Sequence, residues 1–271
     1  LAHTKTVLKV GPDGAALGGA DPNGVRPAQD GWPALPTFDP RRSKKKKRGS
    51  KRNLEAEAND SEVVTVLDSE SVVTDTDGTY WIGDEYGPYV YHFSAEKPGS
   101  PSRLLSVTQP PRAFLPLNEK GEIEFKPKGN PKTGRAVGQG FECLTMDFET
   151  RTLYAMLQSA LVQDGGADEN GEESDKTSRY TRLVAFDASK SGLGAEGPFR
   201  GGDSAQVPIA GVKEDVGGLK VKGEWIIPLP RSSKGKTRAS SEILFVGDST
   251  FLAIGRDGGG RGGSDHTSNT K

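Results

Sequence analysis

The sequence predicts an all-β fold, specifically a β-propeller of four-stranded blades, on three observations. The first is an internal repeat. Ser69-Glu70 leads to Tyr80-Trp81-Ile82-Gly83-Asp84-Glu85, Phe141-Glu142 leads to Leu153 through Gln158, and Ser241-Glu242 leads to Phe251 through Asp257. Each unit sets a glutamate before a short strand, then a tight turn, then an apolar strand that ends in polar groups. The second is punctuation: 36 glycines and 18 prolines favour many short strands and turns over helices. The third is that no stretch shows sustained helical periodicity. Sheets repeated about a common axis bring the equivalent ends of their inner strands together, which is how a propeller assembles a site from several weak contributors.

Taken in order, Thr6 to Val10 alternates like a strand and Gly11-Pro12-Asp13-Gly14 turns it. Residues 18–62 are poor in apolar groups and rich in Gly, Pro and Lys, and read as a long, basic, low-complexity exposed loop. The first blade, 63–110, holds Val63 to Leu67, Ser71-Val72-Val73, Thr79 to Gly83, Tyr89 to Phe93 and Leu104 to Val107, and closes at Pro110-Pro111. The second, 136–229, holds Glu142 to Met146, Thr152 to Gln158, Tyr180 to Asp187 and Gly223 to Leu229. A third begins in 240–271. About three blades are thus present in an incomplete ring, a single domain over 1–271 whose remaining blades are expected from a longer parent chain. The open edges would need that further chain as partner.

Composition excludes several functions. Net charge is −1, so the overall balance calls for no polyanionic partner, and no nucleic acid is expected. Charge is nonetheless segregated into a basic run, Arg41 to Arg52, and an acidic loop with six acids between Asp164 and Asp175. The basic run lacks interleaved aromatics that would stack bases, so a solvated loop is the plainer reading. The acidic loop lacks the alternating Asp spacing of a calcium loop. Cys143 is the single cysteine, which leaves no intramolecular disulfide, multi-cysteine zinc site or Cys-x-x-Cys pair. No stretch reaches the roughly 18 apolar residues of a membrane span. Leu1 in place of Met reads as a processed or partial chain, and Asn59-Asp60-Ser61 is a glycosylation sequon.

If the repeats are blades, Glu70, Glu142 and Glu242 lie at equivalent points on successive inner strands. Asp84-Glu85, Gln158 and Arg256-Asp257 then lie at equivalent ends of the next strands. Carboxylates that converge must share a proton or find a cation. A hard divalent ion, calcium above all, accepts six to eight such oxygens at about 2.3–2.6 Å. The expected ligands are Glu70, Glu142, Glu242, Asp84 and Asp257. The expected catalytic set is Glu142, Asp84 and Glu85 with Arg182 and Arg256, the arginines stabilising anionic charge. The bland alternative is that these polar groups only cap strand ends. Tyr80, Trp81, Tyr89, Tyr91 and Tyr154 read as packing between blades, and His3, His92 and His266 as packing or surface. No Arg-His-Gly-x-Arg run, phosphate-cradling Cys-to-Arg spacing or Gly-x-Ser-x-Gly elbow is present.

Longer runs carry a resemblance. Asp77 to Tyr91, Gly134-Arg135, Gln139 to Thr145, Thr152 to Ala160, Gln163 to Gly166, Ser178 to Leu183, Ser240 to Ile243 and Arg256-Asp257 together resemble the phytase-like family, described as having esterase-like activity of phytase. The match runs in order over about residues 63–265. It departs at Ser71 and Cys143, where the family carries Gly, and at Lys44 to Arg52, where the family has a Gly-rich loop. The resemblance implies a secreted or cell-surface ester hydrolase acting on a small phosphoester or ester. A non-catalytic propeller scaffold and a carboxylesterase are the alternatives.

Overall fold

The computed structural model describes residues 9–11, 14–29, 31–43, 63–97, 99–167, 173–174, 178–189, 218–231 and 237–256. In chain order the elements are β1 (Lys9–Val10), β2 (Gly24–Arg26), β3 (Leu35–Phe38), α1 (Pro40–Ser43), β4 (Val64–Thr65), β5 (Ser69–Thr74), β6 (Tyr80–Asp84), β7 (Val90–Phe93) and β8 (Ser102–Thr108). Then come β9 (Phe141–Asp147), β10 (Thr152–Leu157), β11 (Gly166–Ala167), β12 (Glu173–Ser174), β13 (Tyr180–Asp187), β14 (Lys220–Pro228), β15 (Ala239–Gly247) and β16 (Thr250–Arg256). The protein is all-β. No described helix is long and apolar enough to cross a membrane.

Three sheets carry the repeats. β5, β6, β7 and β8 pair antiparallel in sequence order, with β1 added parallel on the outer edge of β8. The second sheet repeats the arrangement with β9, β10, β13 and β14. The third is the β15–β16 hairpin. Turn chemistry explains each inner hairpin. Gly78 takes φ 83 beside Asp75, whose carbonyl accepts the Gly78 N–H at 3.0 Å. Asp147 accepts the N–H groups of Glu149 and Thr150, and Arg151 follows in the left-handed region at φ 54. Asp248 and Ser249 both have positive φ, as a two-residue type I′ turn requires.

The sheets stack face against face in chain order, β5 and β6 on β9, then β9 and β10 on β15. Trp81, Val90, Phe114, Phe141, Leu144 and Phe186 fill the first junction. Cys143, Met156, Leu183 and Ile243 fill the second, with Tyr154 and Phe251 alongside. Arg151 reaches from the β9–β10 turn to make two 2.6 Å hydrogen bonds with the buried Asp75 carboxylate in the β5–β6 turn. Burial pushes Asp75 up, but the Arg151 bonds and charge outweigh it and hold its pKa below the ordinary value.

The stretch 18–62 is partly built into the body. β2, β3 and β4 form a small antiparallel sheet, and Leu35 is buried against the outer face of the first sheet beside Ile82, Tyr89 and Tyr91. Leu35 and Trp32 are the apolar groups that make this possible; scattered among Gly and Pro, they form no periodic pattern. At the start of the basic run, Arg41 and Arg42 pair with Asp39. Residues 44–62, the rest of that run and the sequon lie outside the described residues.

Candidate functional site

Each inner strand carries a β-bulge near its first residues. The extra residue is Glu70 in β5, Glu142 in β9 and Ser241 in β15. A bulge places two residues opposite one and re-aims the side chain at that point, a device common beside functional sites. The first two repeat glutamates are therefore equivalent in backbone as well as in sequence, whereas Glu242 lies one residue past its bulge. The strand ends correspond too: the Glu85 N–H bonds the Asp68 carbonyl at 3.0 Å, and the Gln158 N–H bonds the Gly140 carbonyl at 2.9 Å.

The geometry gathers Asp68, Glu70 and Glu85, one carboxylate oxygen from each lying within 4.8 Å of the others. Asp68 precedes β5, Glu70 is its bulge and Glu85 follows β6, so backbone pairing at a single sheet corner fixes all three. Glu142 and Asp21 stand close enough to act on this group by charge. Burial, then Asp21 and Glu142, raise the pKa of Asp68. Burial, then Asp68, Glu70 and Glu142, push Glu85 up to about 7, against a downward pull from Arg135. Burial also raises Glu242, whose carboxylate accepts backbone N–H groups from Ile243 and Leu144, with Glu142 adding to the rise. Asp21 belongs to the N-terminal segment and accepts a 3.3 Å hydrogen bond from the Tyr86 hydroxyl.

Asp84 is placed differently. It is fully buried; Oδ1 accepts the Asp68 N–H at 2.8 Å and Oδ2 the Gly87 N–H at 2.7 Å. Burial pushes it up to about 7, opposed by those N–H groups and by Arg135. It fastens the backbone on both sides of the cluster. Arg182, on the third strand of the second sheet, donates to Asp164 at 2.6 and 2.8 Å and to Glu224. The side chain of Arg256 and the whole of Asp257 lie outside what is described.

Two residues at the site carry no signal in the repeat. Asp68 sits two positions before the repeating glutamate. Arg135 lies in the turn-rich 110–140 stretch, fully buried, and donates to the carbonyls of Tyr86 (3.0 Å), Phe125 (3.2 Å) and Ala136 (3.3 Å). The same stretch seats Glu85 between glycines. A Cβ on Gly140 would fall 2.1 Å from the Glu85 carbonyl oxygen, and one on Gly138, at φ +62, would fall 3.0 Å from Glu85 Oε1. Arg135 belongs to the Gly134-Arg135 pair of the resemblance, and that pairing is the trace it leaves in the sequence.

The donor set is all oxygen. His92 is occupied elsewhere, stacked on Trp81 at 3.7 Å, and Cys143 is buried against Ser240. The part-buried Asp68 and Glu85, both of raised pKa, together with the exposed Glu70 fit a hard divalent cation, because each oxygen then gains a positive partner in place of a negative neighbour.

A family model described as "Phytase-like: Esterase-like activity of phytase" matches residues 37–271. The chain belongs to the phytase-like family. Over 136 residues it is also 38% identical to an uncharacterized secreted protein of Arthroderma benhamiae, a stretch amounting to 45% of this chain and 24% of that protein. This phytase-like chain thus spans about a quarter of that relative's length. No solved structure matches.

Proposed function

We propose that this chain carries the site of a phytase-like hydrolase that cleaves phosphoesters with the help of a divalent cation, most simply calcium, in a propeller whose inner strand ends face the axis. One observation carries the reading: Asp68, Glu70 and Glu85 converge at one sheet corner, with Glu142 acting on Asp68 and Glu85 by charge. Asp68, Glu70 and Glu85 would hold the ion, and Glu142 would supply further negative charge toward it. When bound, such an ion draws electron density from a phosphoryl oxygen and makes a bound water more acidic. Burial and its acidic neighbours push the Glu85 carboxyl up to about 7, which suits it to proton exchange near neutrality in the ion-free site. Asp84 acts as a positioning residue, since its two oxygens tie down the backbone of Asp68 and Gly87. Arg135 holds the Tyr86 carbonyl next to Glu85. Secretion is part of the proposal and rests on the name of the Arthroderma benhamiae relative.

The test is calcium-dependent release of phosphate from an aryl phosphate and from phytate. Glu85→Gln and Asp68→Asn are expected to lower the rate at least about 100-fold, the scale on which placed acid–base groups act. Calcium-independent turnover of an acyl ester would instead favour the carboxylesterase. Calcium binding without turnover of either substrate class would leave a binding scaffold.

A further inference from the structure

The segment ahead of the small sheet passes the carboxylate corner as a strap fastened at both ends. At one end Gly18 pairs parallel with Val66: its N–H bonds the Thr65 carbonyl and its carbonyl accepts the Leu67 N–H, both at 3.0 Å. A Cβ on Gly18 would fall 3.3 Å from Val66 Cγ1, and Leu17 packs against the core that holds Leu35 and Leu67. At the other end the Asn23 N–H bonds the Thr37 carbonyl at 2.9 Å, and the Asn23 side chain makes two 2.8 Å hydrogen bonds with the Asp39 backbone. Between these anchors Asp21 is exposed, followed by the buried Pro22. The parallel pairing of residue 18 with residue 66 carries residue 21 alongside 68 and 69. There Asp21 Oδ1 accepts the hydroxyl of the buried Tyr86 at 3.3 Å, and its charge acts on Asp68.

A buried side chain at the same corner lacks a partner. Ser71 is 7% exposed, and its Oγ is buried with no hydrogen-bond partner. That oxygen occupies the place a Cβ on Gly83, its register partner, would fill. Gly83 faces Phe141, and Glu85, two residues on, faces Gly138 and Gly140, so the hydroxyl lies on the side from which Glu85 reaches the corner. A buried hydroxyl without a partner is costly until something at the corner bonds it. Building on the cation reading of Asp68, Glu70 and Glu85, we propose that Asp21 is a fourth carboxylate of that site, and that ion binding and docking of the strap over residues 18–23 reinforce each other. A calcium ion takes about six to eight oxygens, so Asp21 adds a ligand and the Ser71 hydroxyl bonds a water in the same shell. Without the ion, Asp21 and Asp68 repel each other; with it, both face a positive partner. By linkage, whatever factor the docked strap adds to ion affinity the ion adds to docking of the strap. The strap lies ahead of residue 37, where the family match begins, so this carboxylate comes from outside the matched stretch.

The test is calcium titration by calorimetry on residues 1–271, with amide hydrogen exchange alongside. Asp21→Asn should weaken calcium binding at least about 10-fold, since the number of charged ligands sets affinity at such sites. It should not lower the Tm of the ion-free protein. Saturating calcium should slow exchange of the Gly18 to Asp21 amides about 10-fold in the wild type and leave it unchanged in Asp21→Asn. If the wild type binds calcium and Asp21→Asn binds it equally tightly, Asp21 is only a partner of the Tyr86 hydroxyl; the inference then fails while the cation site stands. A strap that exchanges equally fast with and without calcium overturns the coupling. If the wild type binds no calcium, the cation reading itself falls and takes this one with it.

Discussion

His92 shows how far one side chain's surroundings can move its chemistry. Stacked on Trp81 and hydrogen-bonded through Nε2 to the Thr79 hydroxyl at 3.0 Å, it has lost most of its water. Burial lowers its pKa to about 4, outweighing the upward pull of Asp77 and Asp75. The folded protein therefore resists taking up a proton that the unfolded chain accepts near pH 6.5. Stability from this residue is full above about pH 6.5 and declines as the pH falls toward 4. His92→Phe keeps a stacking ring and removes the titration. Between pH 7 and pH 4 the wild type should lose about 2–3 kcal/mol relative to this variant, measured by urea denaturation at each pH. Comparing the two proteins cancels the opposite trend of Glu85 and Asp84, whose raised pKa values favour the folded state as the pH falls.

At the scale of elements, the inner hairpins are legible in the sequence because each carries two independent signals, apolar runs for the strands and Asp, Gly or Thr at the turn. The bulges are not legible. Ser69-Glu70-Ser71 and Ser241-Glu242-Ile243 look alike as text, yet the extra residue is Glu70 in one and Ser241 in the other. A bulge is set by how two strands close against their neighbours, and no residue type announces it. That Glu70 and Glu85 are candidates was readable from the repeat and its strand ends. The membership of Asp68 was not, because it enters through a backbone hydrogen bond to Asp84 rather than through the repeat. Gly140 gives a test at this scale. Gly140→Ala would drive a methyl group into the Glu85 backbone, so the loop or the sheet corner must shift. A loss of about 1–3 kcal/mol is expected, together with weaker calcium binding by titration. Unchanged values of both would remove this glycine from the site's framework.

For the whole molecule, cohesion lies in the junctions between sheets. The first junction joins a wide aromatic and aliphatic core to the Arg151–Asp75 pair at the turn end. Removing Arg151 leaves the buried Asp75 carboxylate without its charge partner. The second junction is narrower, because the hairpin packs chiefly on β9 and β10 of the second sheet, with Leu183 of β13 at its margin. That the chain is built of β-strands was legible in the sequence, as apolar runs separated by turn residues. The small β2–β3–β4 sheet over the first sheet was not, since Leu35 and Trp32 make up its anchoring without any periodic signal.

That narrower junction encloses the molecule's one thiol, with Cys143 Sγ 3.0 Å from Ser240 Oγ. An alkylating reagent can reach this sulfur only when the β15–β16 hairpin lifts away, so the labelling rate becomes a clock for that separation. In residues 1–271 the clock should run faster than global unfolding, because the hairpin can detach while the two larger sheets stay joined. Labelling that keeps pace with unfolding at every urea concentration would mean that all three sheets part as a single unit.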